Sequence, residues 1–269
     1  MSGCTPSTVA WNPADYAAHS ASQQTWAREL IANLDLRGDE RILDVGCGDG
    51  KVTAELASAV PRGAVTGIDR SEEMVRFARA TFPSSRHGNL RFRRMDARQI
   101  DLDEKFDLVF SNAALHWVDD HAAFVRGAAA CLRTGGRLVV SCGGKGNAQD
   151  VFVAVRAEMR LKRWRTYFRK MEAPYFFYRP EDYEQWLPHF GFMSRAVRLA
   201  DKDMVFADGD GLAGWLRTTW LPYTQRVPAA LREQFIAGIV ERYVARHPLD
   251  EAGRVHVRMV RLEIEAVRH

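Results

Sequence analysis

The chain has 269 residues, 46% of them hydrophobic and 27% charged, a globular balance that excludes wholesale disorder. At roughly 150 residues per domain, this is one large domain or two small ones. The formal charge of +4, from 38 basic and 34 acidic residues, is too small to demand a polyanionic partner such as nucleic acid. No apolar run reaches the roughly 18 residues of a membrane span, because Ser111, Asn112 and Asp119 break the best stretch. Met1–Ala10 has neither a basic leader nor an apolar core, so no secretory signal is expected. Cys4, Cys47, Cys131 and Cys142 lie scattered without metal-ligand spacing. A reduced, cytoplasmic, metal-free protein is therefore the expectation.

Periodicity predicts the elements in order. Residues 14–34 read as a helix with Gln23, Ala27, Leu30, Ile31 and Leu34 on one face. Residues 41–45 form a short apolar run entering a glycine cluster, hence a buried strand and a turn. A helix follows over 51–60, then a second strand over 64–68 closed by Asp69. Ser71 caps the next helix, with Glu72 and Glu73 in its first turn and Met74, Phe77 and Ala78 facing inward. Strands are predicted over 90–95 and 106–111, and a helix over 121–132. Thr134-Gly-Gly136 ends that helix before a fifth strand at 137–142. Strands alternating with helices of about ten residues imply right-handed βαβ units and a mostly parallel sheet.

After Gly146 the pattern changes. Residues 148–193 are predicted helical and aromatic-rich, interrupted between Pro174 and Pro180. A strand near 197–206, helices near 209–220 and 228–247, and a last alternating strand over 254–268 complete the chain. The alternation slips between Met259 and Leu262, which predicts a bulge near Val260. Alternation of this kind suits an antiparallel strand added to a parallel sheet.

Chemistry gathers at Ile42-Leu-Asp-Val-Gly-Cys-Gly-Asp-Gly50. Glycines at a strand-to-helix turn let backbone approach a ligand and set N–H groups beside it. Nineteen residues past Gly50, Asp69 ends the second strand, where a carboxylate can accept both hydroxyls of a ribose. A dinucleotide site wants a small residue where this chain has Lys51. Asp44 before the loop can instead face an ammonium. Asp96, at the end of the third strand, can accept from an adenine amino group. An adenosine bearing an amino acid and no phosphate suits these carboxylates better than a dinucleotide.

These residues resemble the class I S-adenosylmethionine-dependent methyltransferases. The likeness runs through Leu43–Gly50, Gly67-Ile-Asp-Arg-Ser71 with Met74, Met95-Asp-Ala97, Asp107–Asn112 and Leu132-Arg-Thr-Gly-Gly-Arg-Leu138. It implies a doubly wound, mostly parallel seven-stranded α/β sheet of Rossmann-like form, with a helical, aromatic-rich cap inserted after the fifth strand. Four segments follow: a helical lid over 1–35, a cofactor-binding core over 36–145, the cap over 146–193, and closing strands and helices over 194–269. The resemblance also implies S-adenosylmethionine as cofactor and S-adenosylhomocysteine as product. By it, Asp44 and Gly46 to Gly50, with Cys47 and Gly48 among them, surround the methionyl part, Asp69 takes the ribose hydroxyls, and Arg70 beside it belongs to the cofactor-binding set. Met74 packs on adenine, Asp96 and Ala97 hold its edge, and Asn112 lies under the sulfonium. Cys47 counts as a small loop residue, since no base lies near it in sequence.

Two shorter features resemble the trans-aconitate and juvenile-hormone-acid carboxyl methyltransferases. These are Trp11-Asn-Pro-Ala-Asp-Tyr16 with Ser20 and Gln23, and Ala114-Leu-His-Trp-Val118. That likeness implies an acceptor pocket lined by Tyr16, Gln23 and Trp117. From the residues alone, Gln23 on an apolar stripe is either bonded to backbone in the core or aimed at a ligand. Trp117 is either packing or an aromatic wall at the ligand edge of the sheet. His116 is either a bonded structural histidine or a general base. Arg179 or Arg217 can pair with a substrate carboxylate.

The expected activity is methylation of a small carboxylic acid by in-line displacement, catalysed by a monomer or homodimer. A carboxylate is ionised at neutral pH and needs alignment rather than a base. The alternatives are a phenol, amine or carbon acceptor with His116 as base, and an RNA-recruiting platform through Lys162–Lys170.

Overall fold

The structure, a computed structural model, describes residues 21–269, with side chains from Thr25 onward. Helix α1 spans Ala21–Ala32 and leads to strand β1, Arg41–Val45. Then come α2 (Lys51–Ala59), β2 (Ala64–Asp69), α3 (Glu72–Thr81), β3 (Leu90–Arg94) and β4 (Phe106–Asn112). A 3₁₀ turn, Leu115–Trp117, precedes α4 (His121–Cys131) and β5 (Leu132–Gly143). After α5 (Gln149–Met159) the chain forms α6 (Pro180–His189), β6 (Phe192–Phe206), α7 (Gly209–Thr219), α8 (Leu221–Thr224), α9 (Arg232–Val244) and β7 (Val255–Arg268). The seven strands lie in the order β3-β2-β1-β4-β5-β7-β6. β1 to β5 pair in parallel and β7 runs antiparallel to β5. Among the described residues, no helix is long and apolar enough to cross a membrane.

The β1, β4 and β5 strands read as apolar runs because both faces are covered. Leu43, Val45, Val109, Leu138 and Val140 join one core, with Phe124 and Val125 of α4 and Tyr183 and Leu187 of α6. Ile42, Leu108, Phe110 and Val139 join the other, with Leu56 of α2 and Val75 and Ala78 of α3. Alternate residues thus enter opposite cores, as a pleated strand dictates. Ser71 Oγ accepts from Met74 N–H at 3.2 Å, the cap expected for α3. Within that helix Met74, Val75 and Ala78 are buried, and Phe77 only half so.

Contacts divide the described chain into two compact units. One holds 21–147, 175–202 and 259–269, and the other holds 148–174 and 203–258. This differs from a single cap over 146–193, because two separate excursions from the sheet make the second unit. Inside it, α5 packs on α9. The buried Glu158 accepts from Trp164 Nε1 at 2.7 Å, Arg163 Nη2 at 2.9 Å and Arg242 Nε at 2.6 Å.

Other expectations need correction too. The segment 160–170 is turns rather than helix, since Trp164 and Tyr167 donate to the carbonyls only three residues back. Its Trp164 and Phe168 are buried against Phe235, at ring separations of 5.5 and 5.3 Å. Two rings of the supposed RNA platform are therefore spent in packing. β5 starts at Leu132, before the Gly pair, and β6 starts at Phe192. The β5–β7 register is unbroken from Arg261 to Val267. The phase change seen in the sequence coincides with Met259–Leu262, four successive buried residues.

Candidate active site

The carboxyl ends of β1, β2, β4 and β5 meet at one edge, where the order of a parallel sheet reverses. β1 runs into Gly46, Cys47 and Gly48. Gly46, Gly48 and Gly50 have φ of 80°, 53° and 85°, which glycine adopts without steric cost. Two of them are glycines for different reasons. A Cβ on Gly46 would overlap that of Ala114, whereas one on Gly48 would meet nothing within 4 Å. The first lets the turn after β4 approach, and the second leaves the loop open to a ligand.

Four of the loop's N–H groups are engaged inside the protein. Gly46 and Cys47 N–H both donate to Ile68 O, at 2.8 and 3.0 Å, and Gly50 N–H donates to Cys47 O at 3.0 Å. Gly48 N–H donates to Asp69 Oδ2 at 3.0 Å. With these donors engaged inside the protein, the loop is poorly equipped for a pyrophosphate. Asp69 Oδ1 accepts from Ser71 N–H at 2.8 Å. The carboxylate is thus anchored by one bond on each oxygen and keeps further acceptor capacity on both. Burial pushes its pKa up against those bonds. Arg70 beside it is exposed.

Asp44 is 2% exposed. Thr53 Oγ1 donates to its Oδ2 at 2.8 Å. Burial raises its pKa to about 7, with the Thr53 bond opposing and the Asp69 charge adding to the rise. A carboxylate in this state suits a ligand cation. That fits the ammonium of S-adenosylmethionine, just as the open flank of Gly48 fits close approach of its chain. Cys47 is buried, and burial pushes its thiol well above its ordinary value, so it is no nucleophile. Met74 is 4% exposed on α3.

Asp96 follows β3 and holds Arg98. Its Oδ1 accepts from Arg98 N–H at 2.9 Å and Nε at 3.0 Å, and its Oδ2 from Nη2 at 2.7 Å. Burial raises its pKa, but the Arg98 bonds outweigh that and keep it below the usual carboxylate range. The sequence did not reveal this pairing, which takes part of the acceptor capacity assigned to adenine. Ala97 is half-buried against the core.

Asn112 ends β4, and its Oδ1 accepts from Arg261 Nη2 at 3.1 Å. Arg261 of β7 is 3% exposed. It also reaches Ser141 O at 2.6 Å and Ser141 Oγ at 3.0 Å, and its guanidinium lies 5.5 Å from the Trp26 ring centre. Sequence reasoning missed Arg261, because it lies on the polar phase of an alternating strand. Its hydrogen-bond cluster with Asn112 and Ser141 appears only once β5 and β7 pair. Arg217, by contrast, is held by Glu233 through Nε at 2.8 Å, so it is already paired.

After the strained Ala113, with φ of 56°, the 3₁₀ turn presents His116 and Trp117. Trp117 lies 4.7 Å from Tyr175, and His116 lies 6.2 Å from Tyr175 and 6.3 Å from Phe177. Phe176 N–H donates to His116 O at 2.9 Å, which fixes the 175–178 segment against the turn. Gly143 N–H donates to His116 Nδ1 at 3.3 Å. Burial, the Arg261 charge and His121 lower the ring's pKa to about 3. That state does not suit the general base considered from the sequence. Tyr16 and the Gln23 side chain lie outside the described residues.

A family model described as a methyltransferase domain matches residues 42–136. An uncharacterised methyltransferase of Schizosaccharomyces pombe is 31% identical over 192 residues, 68% of this chain and 70% of that protein. The trans-aconitate 2-methyltransferase of Variovorax paradoxus is 29% identical over 261 residues, 91% of this chain and 93% of its own. Among solved structures, the YcgJ protein of Bacillus subtilis superposes with a TM-score of 0.62 at 16% identity, covering 91% of this chain and 99% of that one. The magnesium protoporphyrin IX methyltransferase of Synechocystis, solved with bound S-adenosylhomocysteine, gives 0.55 at 18% identity, covering 95% and 86%. Both structures share the fold. The chain belongs to the class I S-adenosylmethionine-dependent methyltransferases, close to the trans-aconitate group.

Proposed function

We propose that this methyltransferase esterifies a carboxylate of a small organic acid. S-adenosylmethionine supplies a methyl group activated by its sulfonium. In this reading Asp44 receives the methionyl ammonium beside Gly46, Cys47 and Gly48. Asp69, with Arg70 at its rim, takes the ribose hydroxyls. Met74 packs on the adenine, Asp96 and Ala97 hold its edge, and Asn112 stands beneath the reacting group. Tyr16, Gln23 and Trp117 align the acceptor in line with the transferred methyl.

The observation that carries the acceptor assignment is the state of His116. Its Nδ1 accepts the Gly143 N–H and its pKa lies near 3, so it is a poor proton acceptor for a phenol or amine. A carboxylate needs no such acceptor, being ionised above about pH 4. Relatives named trans-aconitate 2-methyltransferase act, by that name, on a carboxylic acid, which supports the same reading. The protein is expected to work as a monomer or homodimer in the cytoplasm, without nucleic acid.

With S-adenosylmethionine saturating at every pH, single-turnover methyl transfer to an acid should stay flat from pH 8 to below about pH 6. Gln23→Ala and Trp117→Ala should each raise the acceptor KM or lower kcat by roughly tenfold, the worth of one polar or aromatic contact. Their effects should combine non-additively, with S-adenosylhomocysteine affinity little changed. A methyl group recovered on a phenol oxygen or an amine nitrogen would favour the phenol or amine reading. Wild-type kinetics in both variants would remove Gln23 and Trp117 from the pocket.

A further inference from the structure

We infer that His116 is a fixed hydrogen-bond donor to the acceptor, its Nε2–H receiving an anionic oxygen beside Trp117. The inference rests on the carboxylate reading above and gives that acid its polar anchor in the described part of the site.

A backbone amide has only a proton to offer, so the Gly143 N–H bond requires a lone pair on His116 Nδ1. A neutral imidazole with Nδ1 unprotonated carries its hydrogen on Nε2. Among the described residues, none hydrogen-bonds to that Nε2, and the residue as a whole is half-buried. The approach that sets this tautomer needs a glycine at the end of β5. A Cβ on Gly143 would come within 2.8 Å of Phe177 Cε1 and Asn147 Nδ2.

The surroundings favour an anion at this donor. Trp117, Tyr175 and Phe177 flank the ring with centres between 5.8 and 6.3 Å away, walls that shed water from an acceptor. The charged and titratable groups facing it are Arg261 from β7, His121 from α4 and Tyr175. Arg261 imposes a positive field strong enough to help keep the imidazole neutral. The same field attracts a carboxylate and strengthens its bond to an N–H donor. His121 does not compete as a cation. Its Nε2 lies 2.7 Å from Leu115 O and its Nδ1 2.7 Å from Tyr183 Oη, and burial lowers its pKa to about 4. The imidazole gives and takes no proton in the reaction; it holds one oxygen of the acid while the other is methylated.

Two measurements on the full chain test this. In protein labelled with nitrogen-15 at histidine and saturated with S-adenosylhomocysteine, the His116 signals should report protonated Nε2 and bare Nδ1 from pH 5 to 8. The Nε2–H signal should move when the methylated acid is added. In steady-state assays His116→Phe should raise the KM of that acid about tenfold, the effect of one polar contact, with S-adenosylhomocysteine affinity unchanged. His116→Gln, whose amide nitrogen can stand where Nε2 stood, should recover most of that loss; a purely structural histidine gives no such rescue. A proton on Nδ1, a wild-type KM in His116→Phe, or equal losses in Phe and Gln variants overturns the inference alone. An acceptor screen that returns no methylated acid removes the carboxylate reading, and the inference falls with it.

Discussion

In the proposed cofactor site, Asp44 is the residue whose protonation ligand binding would change. Burial holds its pKa near 7, and an incoming ammonium would pull it back toward the ordinary carboxylate value. The sign follows directly. Below pH 7 the group is protonated and must release that proton for the cation to bind, so affinity falls as pH falls. Above pH 7 it is already ionised and no proton is released. Calorimetry of S-adenosylhomocysteine in two buffers of different ionisation heat should find close to one proton released at pH 6 and few at pH 8. Affinity should drop up to tenfold per pH unit below 7. Asp44→Asn should abolish both the release and the pH dependence. Affinity unaffected by pH between 6 and 7 would remove Asp44 from the ammonium site.

At the scale of elements, the glycine turn shows how a strand-to-helix junction is fixed from both sides. Gly46 needs its positive φ and also the space that Ala114 of the neighbouring turn occupies. Gly46→Ala should therefore destabilise the fold by about 2–4 kcal/mol, combining left-handed strain with overpacking. Gly48→Ala meets no atom, so it should cost only about 1–2 kcal/mol for its φ and act mainly on cofactor binding. Denaturant titration of both variants reads the difference; equal losses would contradict it. This turn was legible in the sequence because glycine spacing and an apolar run leave few alternatives. The segment 160–170 was not. Trp164 and Phe168 stand four apart, as on a helix face, yet Trp164 turns its indole N–H onto Glu158 and packs on Phe235. Tertiary contacts chose turns over the helical spacing.

Over the whole molecule, the parallel sheet was readable because buried strands announce themselves as apolar runs and their helices as amphipathic ones. The division into two units was not, since residues 148–174 and 203–258 are separated by 28 residues that return to the sheet unit. The same return brings Tyr175 and Phe177 to His116 and Trp117, and the pairing of β5 with β7 brings Arg261 to Asn112. Sequence could name the aromatic residues but not which of them face the reacting edge. The residues proposed for the cofactor lie at successive strand ends, a placement that the sequence pattern shows. The proposed acceptor half draws on distant segments.

The account's central claim is that the methyl group goes to a carboxylate oxygen. The most direct measurement incubates the enzyme with methyl-labelled S-adenosylmethionine and a panel of small acids, trans-aconitate among them, alongside matched phenols and amines, then determines the linkage of the labelled product. Label is expected on an acid alone, as an ester that mild base cleaves to release labelled methanol. Label that survives mild base, on a phenol oxygen, nitrogen or carbon, would contradict it.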